Sequence, residues 1–141
     1  AAKNGAQEID MVLIVGAVKE GRWDVVEKDI GAVVKSVDIP VKVILETGFL
    51  EMEEIKKACQ VAEAAGALFV KTCTGFAPGA ATVEHIKLMR ATVSQRVSVK
   101  ASVGIKTFEQ AVALIEAGAT RLGTSSGVQL VTNQSVPTHS Y

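Results

Sequence analysis

Ala67-Leu68-Phe69-Val70-Lys71-Thr72-Cys73-Thr74-Gly75 is the stretch on which the reading of this chain turns. Four apolar residues run into a lysine, and the lysine runs into a loop of hydroxyl side chains and glycine. An apolar run this short suits a buried strand. A charge at its end is costly unless it is paired or faces a cavity. In a barrel of parallel strands, functional side chains gather at such C-terminal strand ends.

The same unit recurs on both sides. Apolar runs at Ile9–Val15, Val41–Leu45, Ala67–Val70, Val97–Val99 and Thr120–Leu122 read as strands. They begin at residues 9, 41, 67, 97 and 120, a spacing of one strand plus one helix and not of a hairpin series. Between them, residues 22–36 put Trp23, Val26, Ile30, Val33 and Val34 on one helical face, with a capping box predicted from Asp24 and Glu27. Residues 51–65 group Met52, Ile55, Cys59 and Ala62, and residues 82–93 group Val83, Ile86, Met89 and Val93. Thr107 and Gln110 form a second capping box, opening a helix with Phe108, Ala111, Val112 and Ile115 inward. Gly66 and Gly118 read as helix stops, and a last short helix begins at Ser125–Ser126.

Five such units predict an α/β fold with a parallel sheet and right-handed crossovers. The choice is between an open doubly wound sheet and part of an eight-stranded barrel. No dinucleotide fingerprint follows the first strand, since Ile14-Val15-Gly16-Ala17-Val18 carries one glycine where three are needed. The domain is expected over 1–131, with a polar, irregular tail over 132–141.

Composition narrows the function classes. The 141 residues carry 15 basic and 15 acidic side chains, so the net charge is zero. A nucleic-acid or membrane-surface binder needs a basic excess. No apolar run reaches the roughly 18–20 residues of a membrane span, and the first residues have no apolar signal core. Two cysteines, Cys59 and Cys73, read as free thiols in a reducing cytoplasm. The chain opens on Ala1 and not on Met, as a processed chain or a fragment does.

Asp10, Lys71 and Lys100 are the charges set at the ends of buried strands. Two lysines at equivalent ends of successive strands approach one another. A free lysine near pKa ~10.4 is almost all cation at neutral pH. A neighbouring ammonium and partial desolvation both disfavour that charge, leaving one amine neutral enough to attack a carbonyl and form a Schiff base. Asp10 is then expected to hold the second lysine charged and to relay protons. The plain alternative is that each lysine lays its stem along the strand and keeps its head in water. Glycine and hydroxyl loops follow the strands at Thr72-Cys73-Thr74-Gly75, Ser102-Val103-Gly104 and Gly123-Thr124-Ser125-Ser126-Gly127. Such loops suit either a phosphate site or ordinary turns and caps.

These residues resemble the deoxyribose-phosphate aldolase family, class I aldolases on a (β/α)8 barrel. The resemblance lies in Glu8-Ile9-Asp10-Met11-Val12, Lys42-Val43-Ile44-Leu45-Glu46-Thr47-Gly48 and Phe69 to Phe76, then in Val99 to Thr107 and Arg121 to Ser126. It covers about residues 6–131 and the family's strands four to eight. It implies Lys71 as the Schiff-base lysine, Lys100 as the neighbour that lowers its pKa, and Asp10 as the end of a proton relay. It also implies Gly75, Gly104, Gly123, Ser125 and Ser126 around the substrate's 5-phosphate. The reaction implied joins acetaldehyde to glyceraldehyde 3-phosphate and runs in reverse. It needs no metal or other cofactor, because the protonated imine is the electron sink.

The chain departs from the family pattern at named positions. The loop after Lys100 reads Val103-Gly104-Ile105-Lys106 where two glycines and an arginine are usual. Val103 adds a side chain beside the phosphate position, and Lys106 is a less bidentate anion partner than arginine. Cys73 replaces the commoner serine. Tyr141 stands where a terminal tyrosine of the family folds over the site. A full barrel needs about 250 residues, so three units are expected to be missing. A five-stranded arc is expected to expose two edges and much apolar lining, which argues for a homo-oligomer sharing the cleft. Two other readings stand beside the aldolase: a non-catalytic truncated barrel that self-associates and binds sugar phosphate weakly, and a Schiff-base aldolase of the fructose-bisphosphate or sugar-thiazole type. All three take a small-molecule phosphosugar or aldehyde, with no nucleic acid and no membrane as partner.

Overall fold

A computed structural model of the protein describes residues 1–132. Strands and helices alternate as β1 (Ile9–Val12), α1 (Val15–Lys19), α2 (Trp23–Lys35), β2 (Val41–Ile44), α3 (Met52–Ala64) and β3 (Phe69–Lys71). They continue as α4 (Val83–Thr92), β4 (Ser98–Ser102), α5 (Phe108–Glu116), β5 (Arg121–Gly123) and α6 (Gly127–Thr132). The five strands form one sheet in the order β1-β2-β3-β4-β5, and all four ladders are parallel. That order decides between the two architectures left open above. Each crossover joins adjacent strands in one direction, so right-handed connections put every helix on the same face. A doubly wound sheet reverses its strand order; this one does not, and it is an arc of a (β/α) barrel.

The helix-facing side of the sheet is dry. Val43, Val70, Val99 and Ala101 are fully buried against Ile30, Ile55, Ile86 and Met89, and all belong to one core. The opposite face follows from the period of two along each strand. Asp10 pairs in register with Lys42, and Lys42 with Phe69. One level up, Ile44 pairs with Lys71, Lys71 with Lys100, and Lys100 with Arg121. The face without helices therefore carries Asp10, Lys42, Lys71, Lys100 and Arg121 among the apolar Val12, Ile44 and Phe69. The expected exposed apolar lining is present at Val12 but is broken up elsewhere by charge. The two edges, β1 and β5, are present as expected.

Several local expectations change. The first strand ends at Val12, and Val15–Lys19 form a short helix that turns Ala17 and Val18 into the core. An apolar run there served two elements in succession, which periodicity over so few residues does not separate. The Asp24–Glu27 box does not form, because the cap is Arg22, two residues before Asp24, which lies inside the first turn. Glu54 instead accepts from the Glu51 backbone N–H at 2.8 Å and opens α3. The Thr107–Gln110 box is present in both directions. On α5 the buried residues are Ala111 and Leu114, while Phe108 and Ile115 are more than half exposed. The apolar stripe of that helix is wider than the face it buries. Val83 on α4 is likewise exposed. Of the last unit, α6 begins at Gly127, just after the expected serines. Residues 133–141, including Tyr141, lie outside the described residues.

No helix among the described residues is long and apolar enough to cross a membrane.

Candidate active site

The charged face is organised as a ladder of ion pairs crossing four of the five strands. Arg121 on β5 donates to Glu8 Oε2 at 2.6 Å, and Lys42 on β2 donates to the same oxygen at 3.1 Å. Lys42 also donates to Asp10 Oδ1 at 2.7 Å, and Lys71 on β3 donates to Asp10 Oδ2 at 2.9 Å. The Phe69 ring supports both outer cations, with Lys42 Nζ 5.2 Å and the Arg121 guanidinium 4.6 Å from its centroid. Such cation–π contacts add to the attraction where water is excluded.

Of the two strand-end lysines, Asp10 holds Lys71, and it also pairs with Lys42, which the sequence reading did not include. Burial pushes its carboxyl up, but the hydrogen bonds from Lys42 and Lys71 and their charges outweigh this and hold it below the ordinary value. Among the described residues Lys100 has no carboxylate on its ammonium. Its pKa is lowered, first by desolvation and then by the charge of Lys71, with Asp10 opposing. The two lysines thus sit side by side in register, as the strand pattern required. The amine with the lowered pKa is Lys100.

Above this ladder opens a cleft of about 490 Å³. Lys71 and Lys100 form its floor, with Ser102 and Gly123 beside them. Its walls are the strand-end loops, carrying Thr74 and Gly75, Val103 to Lys106, and Thr124 and Ser125. Of the residues singled out in the sequence, Lys71, Lys100, Gly75, Gly104, Lys106, Gly123 and Ser125 line this one cleft. Ser126 does not: it is buried, and its N–H already donates to Thr124 Oγ1 at 2.9 Å. Asp10 lies below the cleft and reaches it through Lys71.

The loops are fixed from beneath. Thr72 Oγ1 donates to the Ser102 carbonyl and accepts from the Ser102 N–H, both at 3.0 Å, which rivets the ends of β3 and β4. Buried Glu46 accepts from Thr74 N–H at 3.0 Å and Thr74 Oγ1 at 2.5 Å. Gly48 permits the same loops to close, since a Cβ there would lie 1.8 Å from the Pro78 carbonyl oxygen. Val103 has φ 77, a left-handed conformation that is strained for a β-branched residue. Gly123 has no room for a side chain: a Cβ would meet Ser102 Oγ at 2.6 Å and Lys100 Cε at 3.1 Å. Ser102 Oγ is itself buried without a hydrogen-bond partner.

Sequence reasoning missed Lys42, Glu8, Arg121, Glu46 and Thr72. Lys42 carried a usable signal, being one charge inside an otherwise apolar strand, which is the same cost argument that flagged Lys71. Arg121 carried the same signal, as a charge inside the Thr120–Leu122 run; Glu8 precedes the first run and gave none. Among the described residues, no group of three or more His, Cys, Asp or Glu side chains is arranged to hold a metal ion.

No family model matches the chain. It is 57% identical over 135 residues to a deoxyribose-phosphate aldolase of Caldanaerobacter subterraneus subsp. tengcongensis, covering 93% of this chain and 58% of that protein. A solved structure of a putative deoxyribose-phosphate aldolase from Coccidioides immitis superposes with a TM-score of 0.90 at 43% identity, covering 94% of this chain and 54% of that one. The deoxyribose phosphate aldolase of Aeropyrum pernix, described as a tetramer, gives a TM-score of 0.82 at 29% identity, over 93% of this chain and 56% of its own. The chain spans less than two thirds of the length of each.

Proposed function

Because the chain is a relative of the deoxyribose-phosphate aldolases, we propose that it carries the reaction centre of a class I aldolase acting on 2-deoxyribose 5-phosphate. The observation that carries the reading is the lysine pair at the floor of a loop-walled cleft, with one lysine bound to a carboxylate and the other held at lowered pKa.

In the condensing direction the neutral Lys71 amine adds to the carbonyl carbon of acetaldehyde. The carbinolamine loses water and becomes a protonated imine. A proton then leaves the methyl carbon, and the electron pair of that C–H bond forms the enamine. The enamine carbon attacks the aldehyde carbon of glyceraldehyde 3-phosphate, whose oxygen takes up a proton. Water hydrolyses the new imine and frees Lys71. Asp10, 2.9 Å from the Lys71 ammonium, is suited to accept its proton. Lys100, in register beside Lys71, is assigned as its neighbouring amine. Gly75, Gly104, Lys106, Gly123 and Ser125 are assigned to the phosphate, with Ser126 holding the loop and not the ligand.

A second reading follows from Lys100, whose lowered pKa makes it the more readily neutral amine. In that reading Lys100 forms the imine and Lys71, held by Asp10, is the cation beside it. A homo-oligomer is also proposed, on the two open sheet edges and on the tetramer described for the Aeropyrum pernix relative. A cytoplasmic setting is proposed on the two buried free thiols.

Incubation with acetaldehyde and borohydride, followed by intact-mass and peptide mapping, tests the assignment. A two-carbon adduct on Lys71 that Lys71→Ala abolishes supports the first reading, and an adduct on Lys100 supports the second. No adduct on either overturns both and favours a non-catalytic sugar-phosphate binder.

A further inference from the structure

Lys42 is the least exposed charge in the molecule's ion-pair ladder. Its side chain is 3% exposed, against 37% for Asp10 and 13% for Lys71. A buried ammonium is tolerated only when its protons are satisfied. Here the partners are Asp10 Oδ1 at 2.7 Å, Glu8 Oε2 at 3.1 Å and the face of Phe69. Lys42 touches neither the cleft nor its loops. Nothing in the proposed chemistry uses it, yet it occupies one oxygen of the carboxylate whose other oxygen faces Lys71.

We propose that Lys42 is a positioning residue for the Asp10 carboxylate, locking Oδ1 so that Oδ2 stays ionised and aimed at the Lys71 amine. As an aid to imine formation, this role rests on the aldolase reading. The carboxylate lock itself does not. A carboxylate held at one oxygen by a buried cation keeps a fixed plane, and its free oxygen then approaches the amine in one geometry. The lock is built in three steps: Arg121 from β5 orients Glu8, Glu8 shares Lys42, and Lys42 orients Asp10. The charged groups facing Asp10 are Glu8 in the bend just before β1, Lys42 on β2, Lys71 on β3 and Lys100 on β4, with Arg121 on β5 acting through Glu8. Three of the four nearest are cations, and Lys42 is the one whose burial fixes its position.

The test reads Asp10 directly. Carbon-detected NMR follows its carboxyl titration in the full chain, native and Lys42→Met, beside the pH dependence of borohydride-trapped adduct. The Asp10 midpoint is expected to rise by about one pH unit on loss of the close cation. The acid limb of trapping rises with it, and trapping slows about tenfold near that limb at unchanged half-saturation by acetaldehyde. A midpoint that stays or falls overturns the assignment, and any slower trapping is then a packing effect. A midpoint that rises in a chain that forms no adduct retires the aldolase reading and leaves the carboxylate lock standing. If Lys42→Met fails to fold by circular dichroism, Glu8→Gln replaces it, since it gives the whole Lys42 charge to Asp10. The Asp10 midpoint is then expected to fall, and one that stays or rises overturns the assignment.

Discussion

Lys71 and Lys100 stand as register partners on adjacent parallel strands, yet among the described residues only Lys71 has a carboxylate on its ammonium. The pair is asymmetric by construction. Asp10 arrives from β1 and reaches β3, where Lys71 meets it at 2.9 Å. Lys100 is left with desolvation and the like charges of Lys71, Lys42 and Arg121, which outweigh Asp10, and its pKa falls.

That asymmetry makes Lys100 a cost to the fold at neutral pH. Between its lowered folded value and the unfolded value near ~10.4, the unfolded chain binds more protons, so stability rises with pH through that window. Below the window the deficit is complete. Lys100→Met is therefore expected to stabilise the chain at pH 7, by about 1 kcal/mol, and to flatten the rise of stability on the alkaline side. Urea denaturation at pH 7 and pH 10 measures both. Trapping of acetaldehyde should fall at least tenfold in the same variant.

Asp10 has the opposite sign. Its folded value is depressed, so the stability it contributes is present above the unfolded value near ~3.9 and is lost as pH falls through the folded value. Asp10→Asn should remove that acid-side loss. Above pH 5 it should destabilise the chain by about 1–2 kcal/mol, discounted because the carboxylate is partly in water while Lys42 is not. Denaturant midpoints at pH 3 and pH 7 read the two effects, and a variant as stable as the native chain at pH 7 would sink the account.

Val103 holds a β-branched side chain in left-handed backbone at φ 77. Relief of that strain is worth about 1–2 kcal/mol, against roughly 0.5–1 kcal/mol of added backbone entropy for glycine. Val103→Gly should thus be stabilising by a few tenths to 1 kcal/mol. It also clears the cleft wall, so inorganic phosphate should bind more tightly by calorimetry. Weaker phosphate binding would show that the side chain forms part of the anion site.

Gly123 allows Lys100 and Ser102 to approach the β5 backbone. In Gly123→Ala the new Cβ would meet Ser102 Oγ at 2.6 Å and Lys100 Cε at 3.1 Å, so one must move. Trapping should fall about tenfold, as a misplacement of order 1 Å allows. Gly16→Ala, with nothing within 4 Å of its Cβ, is the control and should leave trapping unchanged.

The fold was legible because the feature that specifies it is coarse. Short apolar runs at one-unit spacing need no side-chain detail, and the five strands fall on the five runs. Periodicity left the arc and the doubly wound sheet undecided, since both use the same unit; strand order settles it. Lys71 and Lys100 stood out because each closes an apolar run. Lys42 is hidden inside one, between Val41 and Val43, and its partners Glu8 and Asp10 lie more than thirty positions earlier in the chain. The sequence leaves open which lysine Asp10 holds for the same reason: which of two lysines a carboxylate meets depends on strand order in space. Helical spacing places Phe108 and Ile115 on the apolar stripe of α5, but it does not say how much of that stripe a neighbour covers.

The placement of the core has a wider consequence. All of it lies behind the sheet, under the helices, while the front carries ion pairs that water also solvates. Such a sheet draws its apolar cohesion from the helix side alone, so the charged residues of its front can be exchanged one at a time without unpacking the layer behind them.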